Sequence, residues 1–288
     1  MDSVINPPRY DDLVFDIGMH KGEDAEFYLR NGFRVVGFEA EPELVRFARN
    51  RLKEFEAGGR LTIVEGAIVD RRTIRPGQNT VPFYRNSSMS VWGTIRADWA
   101  DRNQQLGAPS SRIDVAVVDL AAVIRERGMP HYMKIDIEGA DSECLRVLEA
   151  FPVRPAYLSM ESAKTGFSDI AEEIRMLVNL GYDAFQAVEQ SGLTLQRFEE
   201  GSSGPFGATL GGQWKTRQAI LRQYRVIRLG YYLLGDDGRM TRWAFPGAGE
   251  LRAKTRRLLR RLTKAVVPGW YDTHARHSSL ARRRSPVP

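Results

Sequence analysis

The segment Leu13-Val14-Phe15-Asp16-Ile17-Gly18-Met19-His20-Lys21-Gly22 constrains this chain most. Its apolar first half reads as a buried strand, and the glycines that follow mark a turn. Glu23 to Arg30 is a polar stretch of helix-forming residues. Val35-Val36-Gly37-Phe38-Glu39 is a second apolar strand that ends in an acid.

Strand, glycine turn, helix, strand and terminal acid is the order in which a Rossmann-type unit holds an adenosine. The spacing from Asp16 to Glu39 suits a carboxylate that reaches the ribose hydroxyls. Charge around the turn selects the cofactor. A dinucleotide seats its pyrophosphate on the turn and the helix N-terminus, where backbone N–H groups and the helix dipole favour anions. Here Asp16 starts the turn while Glu23 and Asp24 open the helix, and these carboxylates would repel a pyrophosphate. S-adenosylmethionine has no phosphate and carries a sulfonium and an ammonium, both compatible with nearby acids. The glycines also follow G-x-x-x-G rather than G-x-G-x-x-G. A methyltransferase is expected, with an NAD-dependent oxidoreductase as the rival enzyme. A plain turn, with glycines serving geometry alone and Glu39 solvated, is the bland alternative.

The rest of the chain alternates. Residues 42–55 read as a helix, 61–64 as a strand, 81–84 as a short strand, 96–105 as a helix, 113–118 as a strand and 121–127 as a helix. His131 to Gly139 is a strand that runs into a second glycine turn. A helix over 141–151, a strand over 156–160 and a helix over 170–180 follow, and then a closing hairpin built from 184–188 and 193–198. This alternation predicts an α/β fold with a mostly parallel sheet and helices on both faces. Residues 1–200 are expected to form the cofactor-binding domain. Residues 201–288 are expected to form a loop and a basic helical C-terminal extension with a disordered end.

Charge supports that division. Residues 251–288 hold eleven Lys and Arg and one acid, Asp272, which leaves 31 of the 42 basic and 35 of the 36 acidic residues in the body. With the sheet finished near Phe198, the tail is expected to be dispensable for cofactor binding. It would dock on the body or meet an anionic partner or a membrane surface. A nucleic-acid-binding protein or nucleic-acid methyltransferase that uses the basic tail is the rival from another class, but nucleic acid is not expected as a partner, because the body is net acidic and no aromatic-plus-basic reader motif occurs. The single cysteine, Cys144, excludes an intrachain disulfide and fits a cytoplasmic protein. Met1 to Arg9 lacks the pattern of a signal peptide, and no apolar stretch is long enough to span a bilayer.

Along the strand before Gly139, side chains alternate, so Lys134, Asp136 and Glu138 share a face at the carboxyl edge, where open α/β sheets bind ligands. Asp136 would face the sulfonium or the acceptor hydroxyl, and Glu138 would line the acceptor pocket. Lys134 either serves the site or locks the strand to a neighbouring helix as an ion pair. Glu161 ends the next strand at the same edge and is a candidate general base or acceptor ligand. His20, inside the first turn, would contact cofactor or acceptor or face water. Asp136 with Glu138 or Glu161 could hold a hard cation through water. No metal ion is expected, since the four histidines give no metal-ligand spacing.

Four segments together resemble the FkbM family of S-adenosylmethionine-dependent methyltransferases. They are Val14 to Gly18 with Gly22, Gly37-Phe38-Glu39-Ala40-Glu41-Pro42, Gly66-Ala67-Ile68 and Lys134-Ile135-Asp136-Ile137-Glu138-Gly139-Ala140. The last is the most specific. The resemblance implies a class I methyltransferase fold. It also implies that Asp16, Gly18 and Gly22 hold the methionine end, Glu39 the ribose and Ala67 the adenine side, with His20, Ala40 and Gly66 completing the cofactor set. Asp136 and Glu138 would lie at the methyl-transfer centre. The implied reaction is O-methylation of a small-molecule or glycan acceptor: a sugar, a glycoconjugate or a natural product. Where the family usually has Ala-Asn in the first turn, this chain has Met19-His20.

Overall fold

The computed structural model describes residues 6–86, 89–105, 107–162, 166–190, 204–234 and 271–282. The chain opens with β1 (Arg9–Ile17), α1 (Glu23–Arg30), β2 (Arg34–Glu39), α2 (Pro42–Arg51), α3 (Lys53–Ala57) and β3 (Leu61–Glu65). A second group follows: β4 (Ala67–Ile68), β5 (Thr80–Asn86), α4 (Ala97–Gln105) and β6 (Ser110–Val118). The alternation then resumes with α5 (Leu120–Arg127), β7 (Met129–Ile135), α6 (Asp141–Leu148), β8 (Tyr157–Glu161), α7 (Phe167–Asn179) and β9 (Tyr182–Glu189). The last described elements are α8 (Arg217–Leu234), β10 (Tyr271–His277) and α9 (Ser279–Arg282).

The main sheet has seven strands in the order β3-β2-β1-β7-β8-β10-β9. β3, β2, β1, β7 and β8 pair in parallel, and β10 runs antiparallel to both β8 and β9. The chain moves outward from β1 to β3 and returns beside β1 as β7, so a crevice opens between β1 and β7 at the carboxyl ends of the strands. Period-two alternation sorts the two faces. Phe15, Ile17, Met133, Ile135, Leu158 and Met160 join Ile124, Leu145, Ile174 and Tyr224 in one core. Val14, Tyr132 and Tyr157 join Tyr28, Val45 and Phe206 in the other. β4, β6 and β5 form a small separate sheet, inserted between β3 and α5.

Local signals place most boundaries. The Asp119 side chain accepts from the Ala122 N–H at 3.0 Å and caps α5, and Gly128 ends that helix. The helix expected over 42–55 breaks at Leu52 into α2 and α3.

The C-terminal part of the expectation needs correction. β9 is paired by β10 over Tyr271 to His277; residues 193–198 of the expected hairpin lie outside the described residues. The stretch expected to be an appendage therefore supplies an interior strand, with Thr273, His274 and Ala275 buried. Of its expected disordered end, Ser278 to Pro288, Ser279–Arg282 form α9, and residues 283–288 lie outside the described residues. The leucines of the basic run 251–269 lie outside the described residues. Phe206, expected in a flexible loop, is buried against Tyr28 and Tyr132, with ring centroids 4.8 and 4.7 Å away. Among the described residues no helix is long and apolar enough to cross a membrane.

Candidate active site

A cleft of about 910 Å³ opens at the carboxyl edge of β1, β2, β7 and β8. Its first wall is the turn after β1. Gly18 sits at φ +83, and a Cβ there would stand 1.9 Å from the Asp136 carbonyl oxygen. The absence of a side chain is what lets the turns after β1 and β7 touch. Gly18→Ala should therefore lower stability by about 2–3 kcal/mol and disorder the cleft, as overpacking at a left-handed position does. The check is thermal denaturation of the purified variant.

His20 occupies the left-handed region at φ 53, where His and Asn are tolerated better than most side chains. That explains how histidine stands where the family usually has asparagine. Its N–H donates to Glu39 Oε2 at 3.0 Å, and the Glu41 N–H donates to Glu39 Oε1 at 2.9 Å. The Glu39 carboxylate is thus held at both oxygens at the end of β2. Burial pushes its pKa up to about 7 against these hydrogen bonds. The His20 ring bridges to the inserted segment, with Nε2 2.9 Å from Ser90 Oγ and Nδ1 3.5 Å from Glu23.

The second wall is the turn after β7. Glu138 is also left-handed, at φ 47, and is 8 % exposed. Such backbone strain in a non-glycine residue clusters at functional sites. Asp141, at the start of α6, accepts from the N–H groups of Ile137 and Gly139 at 3.3 and 3.2 Å and fixes the turn. Burial first, and then the Asp136 charge, raise the Asp141 pKa to about 7. Thr94 Oγ1 donates to the Glu138 carbonyl at 2.9 Å, and Arg96 donates to the Gly139 carbonyl at 3.2 Å. The inserted segment thereby straps across both turns. Asp136, Glu138 and Glu161 each bring a carboxylate oxygen within 4.8 Å of the others. This spacing suits a hydrated hard cation as well as an acceptor hydroxyl.

The expected residues fall into two groups. Gly18, His20, Glu39, Ala40, Gly66, Ala67, Asp136, Glu138 and Glu161 all line the cleft. Asp16 and Gly22 do not. Gly22 caps α1 at φ 82, and Asp16 is fully buried beneath the turn. Asp16 lies 3.7 Å from Lys134 Nζ, which also reaches Asp24 at 2.7 Å and Asp136 at 3.8 Å. Burial alone would lower the Lys134 pKa, but Asp24, Asp16 and Asp136 together hold it well above the ordinary value. Lys134 therefore locks β7 to β1 and α1 as an ion pair, and it also lines the cleft.

The cleft also holds groups that sequence reasoning missed. Tyr132 and Ser159 follow from alternation carried back from Asp136 and Glu161. Asp272 and His274 enter from β10, Ser90 from a single 3₁₀ turn over Ser90–Trp92, and Thr94 from the backbone just after it, a stretch too short to carry a periodic signal.

Two solved structures are similar to the chain at low identity. A precorrin-6y C5,15-methyltransferase from Geobacter metallireducens is 13 % identical, with 64 % of this chain and 72 % of that one covered at a TM-score of 0.33. A SAM-dependent methyltransferase from Thiobacillus denitrificans, in complex with S-adenosyl-L-homocysteine, is 10 % identical, with 94 % and 86 % covered at a TM-score of 0.35. No curated protein sequence matches the chain. The methyltransferase FkbM domain matches residues 16–184, more than half of the chain and the span that carries both turns, and the chain belongs to that family of methyltransferases.

Proposed function

We propose that this protein transfers the methyl group of S-adenosylmethionine to a hydroxyl of a sugar, a glycoconjugate or a natural product. The observation that carries the donor assignment is Glu39, held through both oxygens by backbone N–H groups at the end of β2, in a cleft whose turn is flanked by Glu23 and Asp24. Those acids oppose a pyrophosphate and accept a sulfonium. Asp136 at the β7 edge faces the reacting centre, and Glu138 and Glu161 surround the acceptor oxygen.

The chemistry asked of the protein is modest. Acceptor oxygen and cofactor methyl must be aligned for in-line attack, and such positioning supplies about 7–11 kcal/mol of barrier lowering in favourable cases. A carboxylate takes the hydroxyl proton as the bond to carbon forms. The single buried cysteine, Cys144, supports a cytoplasmic setting. The basic run 251–269 supports an anionic partner or a membrane surface. Incubation with methyl-labelled S-adenosylmethionine and a panel of sugars and glycolipids tests the reaction. A product heavier by the labelled methyl, linked as an ether, is the expected result, and label on nitrogen or carbon contradicts O-methylation.

Glu39 gives two further expected results. Glu39→Ala removes a charged hydrogen-bond acceptor for the ribose, worth about 1.5–3 kcal/mol, so S-adenosylhomocysteine should bind roughly tenfold or more weakly. The ionised carboxylate is the form that accepts from ribose hydroxyls. With its pKa raised to about 7, the ionised fraction falls as pH drops through that value. Affinity should therefore weaken below neutrality, by at most about tenfold per pH unit, and level off above it. Calorimetric titrations at pH 6 and pH 8 measure this, and Glu39→Ala should flatten the profile.

A further inference from the structure

The cleft continues past the three carboxylates onto the sheet face at β8 and β10. Ser159 pairs in register with Lys134 on one side and with His274 on the other, so these side chains lie in one row across β7, β8 and β10. Ser159 Oγ is 2.6 Å from the Tyr132 hydroxyl. His274 is 5 % exposed and lines the cleft, and its ring has no hydrogen-bond partner among the described residues. Burial alone lowers its pKa to about 4, so the imidazole is neutral, with one N–H donor and one lone pair to satisfy. Phe206 stands over this region as an apolar wall, and the Tyr28 side chain hydrogen-bonds Tyr132.

The His274 ring nitrogens open onto the cleft, where a bound molecule can pair with them. The cofactor does not reach them. Glu39 lies on β2 and His274 on β10, four strand spacings apart in the sheet order. That is roughly 19 Å at the usual interstrand distance. The methionine arm reaches only roughly 8 Å beyond the ribose, at ordinary bond lengths. Of the two bound molecules, the acceptor is therefore the one placed to pair with His274. A hydroxyl both donates and accepts and so matches a neutral imidazole. A carboxylate cannot donate, and it would sit near Asp24, Asp136 and Asp272.

We propose that His274, with Ser159 and Tyr132, forms a subsite for a second, uncharged hydroxyl of the acceptor, so that the substrate is a neutral polyol rather than a lone alcohol or an acid. This rests on the reading of the cleft as a methyl-transfer site. The test uses the full chain with ¹⁵N-labelled histidine and three probes: D-glucose, cyclohexanol and D-gluconate. The His274 ring signals are assigned by their loss in His274→Asn, and titrations are run with and without S-adenosylhomocysteine. Glucose should shift the His274 ring signals saturably, with Kd in about the millimolar range, and cyclohexanol and gluconate should not. Ser159→Ala should weaken the glucose response at least about threefold, and S-adenosylhomocysteine affinity should stay within about twofold in His274→Asn. An unmoved ring on glucose addition overturns the proposal, as does an equal response to gluconate or to cyclohexanol. A tenfold loss of S-adenosylhomocysteine affinity in His274→Asn would place the ring in the cofactor site instead. Failure of the unaltered protein to bind S-adenosylhomocysteine is a separate outcome that strikes the donor assignment.

Discussion

A chain that stops before Trp270 should fail to fold. β10 lies inside the sheet, with Asp272 to Arg276 registered on β8 and Tyr271 to His277 on β9. Its removal leaves two interior strand edges with unpaired backbone groups. Each buried group left unpaired costs about 1–3 kcal/mol, and a domain has only about 5–15 kcal/mol of stability in total. Side chains add to the loss. Thr273 Oγ1 is 2.8 Å from Ser162 Oγ and 2.7 Å from the Tyr224 hydroxyl, and those two are 2.6 Å from each other. This closed group of buried hydroxyls joins β8, α8 and β10, and it cannot be satisfied with one member gone. The truncated protein should be insoluble, or should show no cooperative thermal transition and no S-adenosylhomocysteine binding. A soluble truncation with a sharp transition and intact binding would show that β10 is an accessory strand.

Lys134→Met should be the most damaging single substitution in the site. Asp16 is fully buried and neither of its carboxylate oxygens has a hydrogen bond. Lys134 is the cation that faces it, and Asp24 depends on the same ammonium. Removal of one partner from a buried ion pair costs about 3–5 kcal/mol. At about 2–4 °C per kcal/mol for a protein of this size, Tm should fall by roughly 10 °C. The pH dependence has a definite sign. Burial already raises the Asp16 pKa to about 7, despite Lys134. Loss of the lysine raises it further. A carboxyl with a raised folded-state pKa contributes most below its unfolded value, and that contribution is lost as pH rises. The defect should be mild near pH 5 and grow toward pH 8. Addition of Asp16→Asn should restore much of the loss. An equal Tm drop at both pH values, with no rescue, would assign the damage to packing.

How far the sequence discloses this molecule depends on how local each feature is. The turns at Gly18 and Glu138 are contiguous, and each follows an apolar strand, so period and punctuation place them together at one sheet edge. Alternation along β7 correctly puts Lys134 and Asp136 on one face, but it does not say which side chain stops in the protein and which reaches the cleft. Asp16 shows the difference. It was expected at the methionine end, yet it lies one layer below, where it balances Lys134. β10 is hidden for another reason. Its cleft-facing residues, Asp272 and His274, are polar, its neighbours in sequence are basic, and its sheet partners lie far away in the chain. A strand with those properties has the composition of a solvated tail. The strap at Ser90 and Thr94 has neither helical nor strand period, and only its hydrogen bonds to the two turns reveal its role.

Calorimetric titration of the full chain with S-adenosylhomocysteine, and separately with NAD, tests the donor assignment most directly. A single-site isotherm in about the micromolar range for S-adenosylhomocysteine, weakened roughly tenfold in Glu39→Ala, with no heat from NAD, is the result expected of a cleft built around Glu39 and flanked by Glu23 and Asp24. Saturable binding of NAD, with none of S-adenosylhomocysteine, would contradict it.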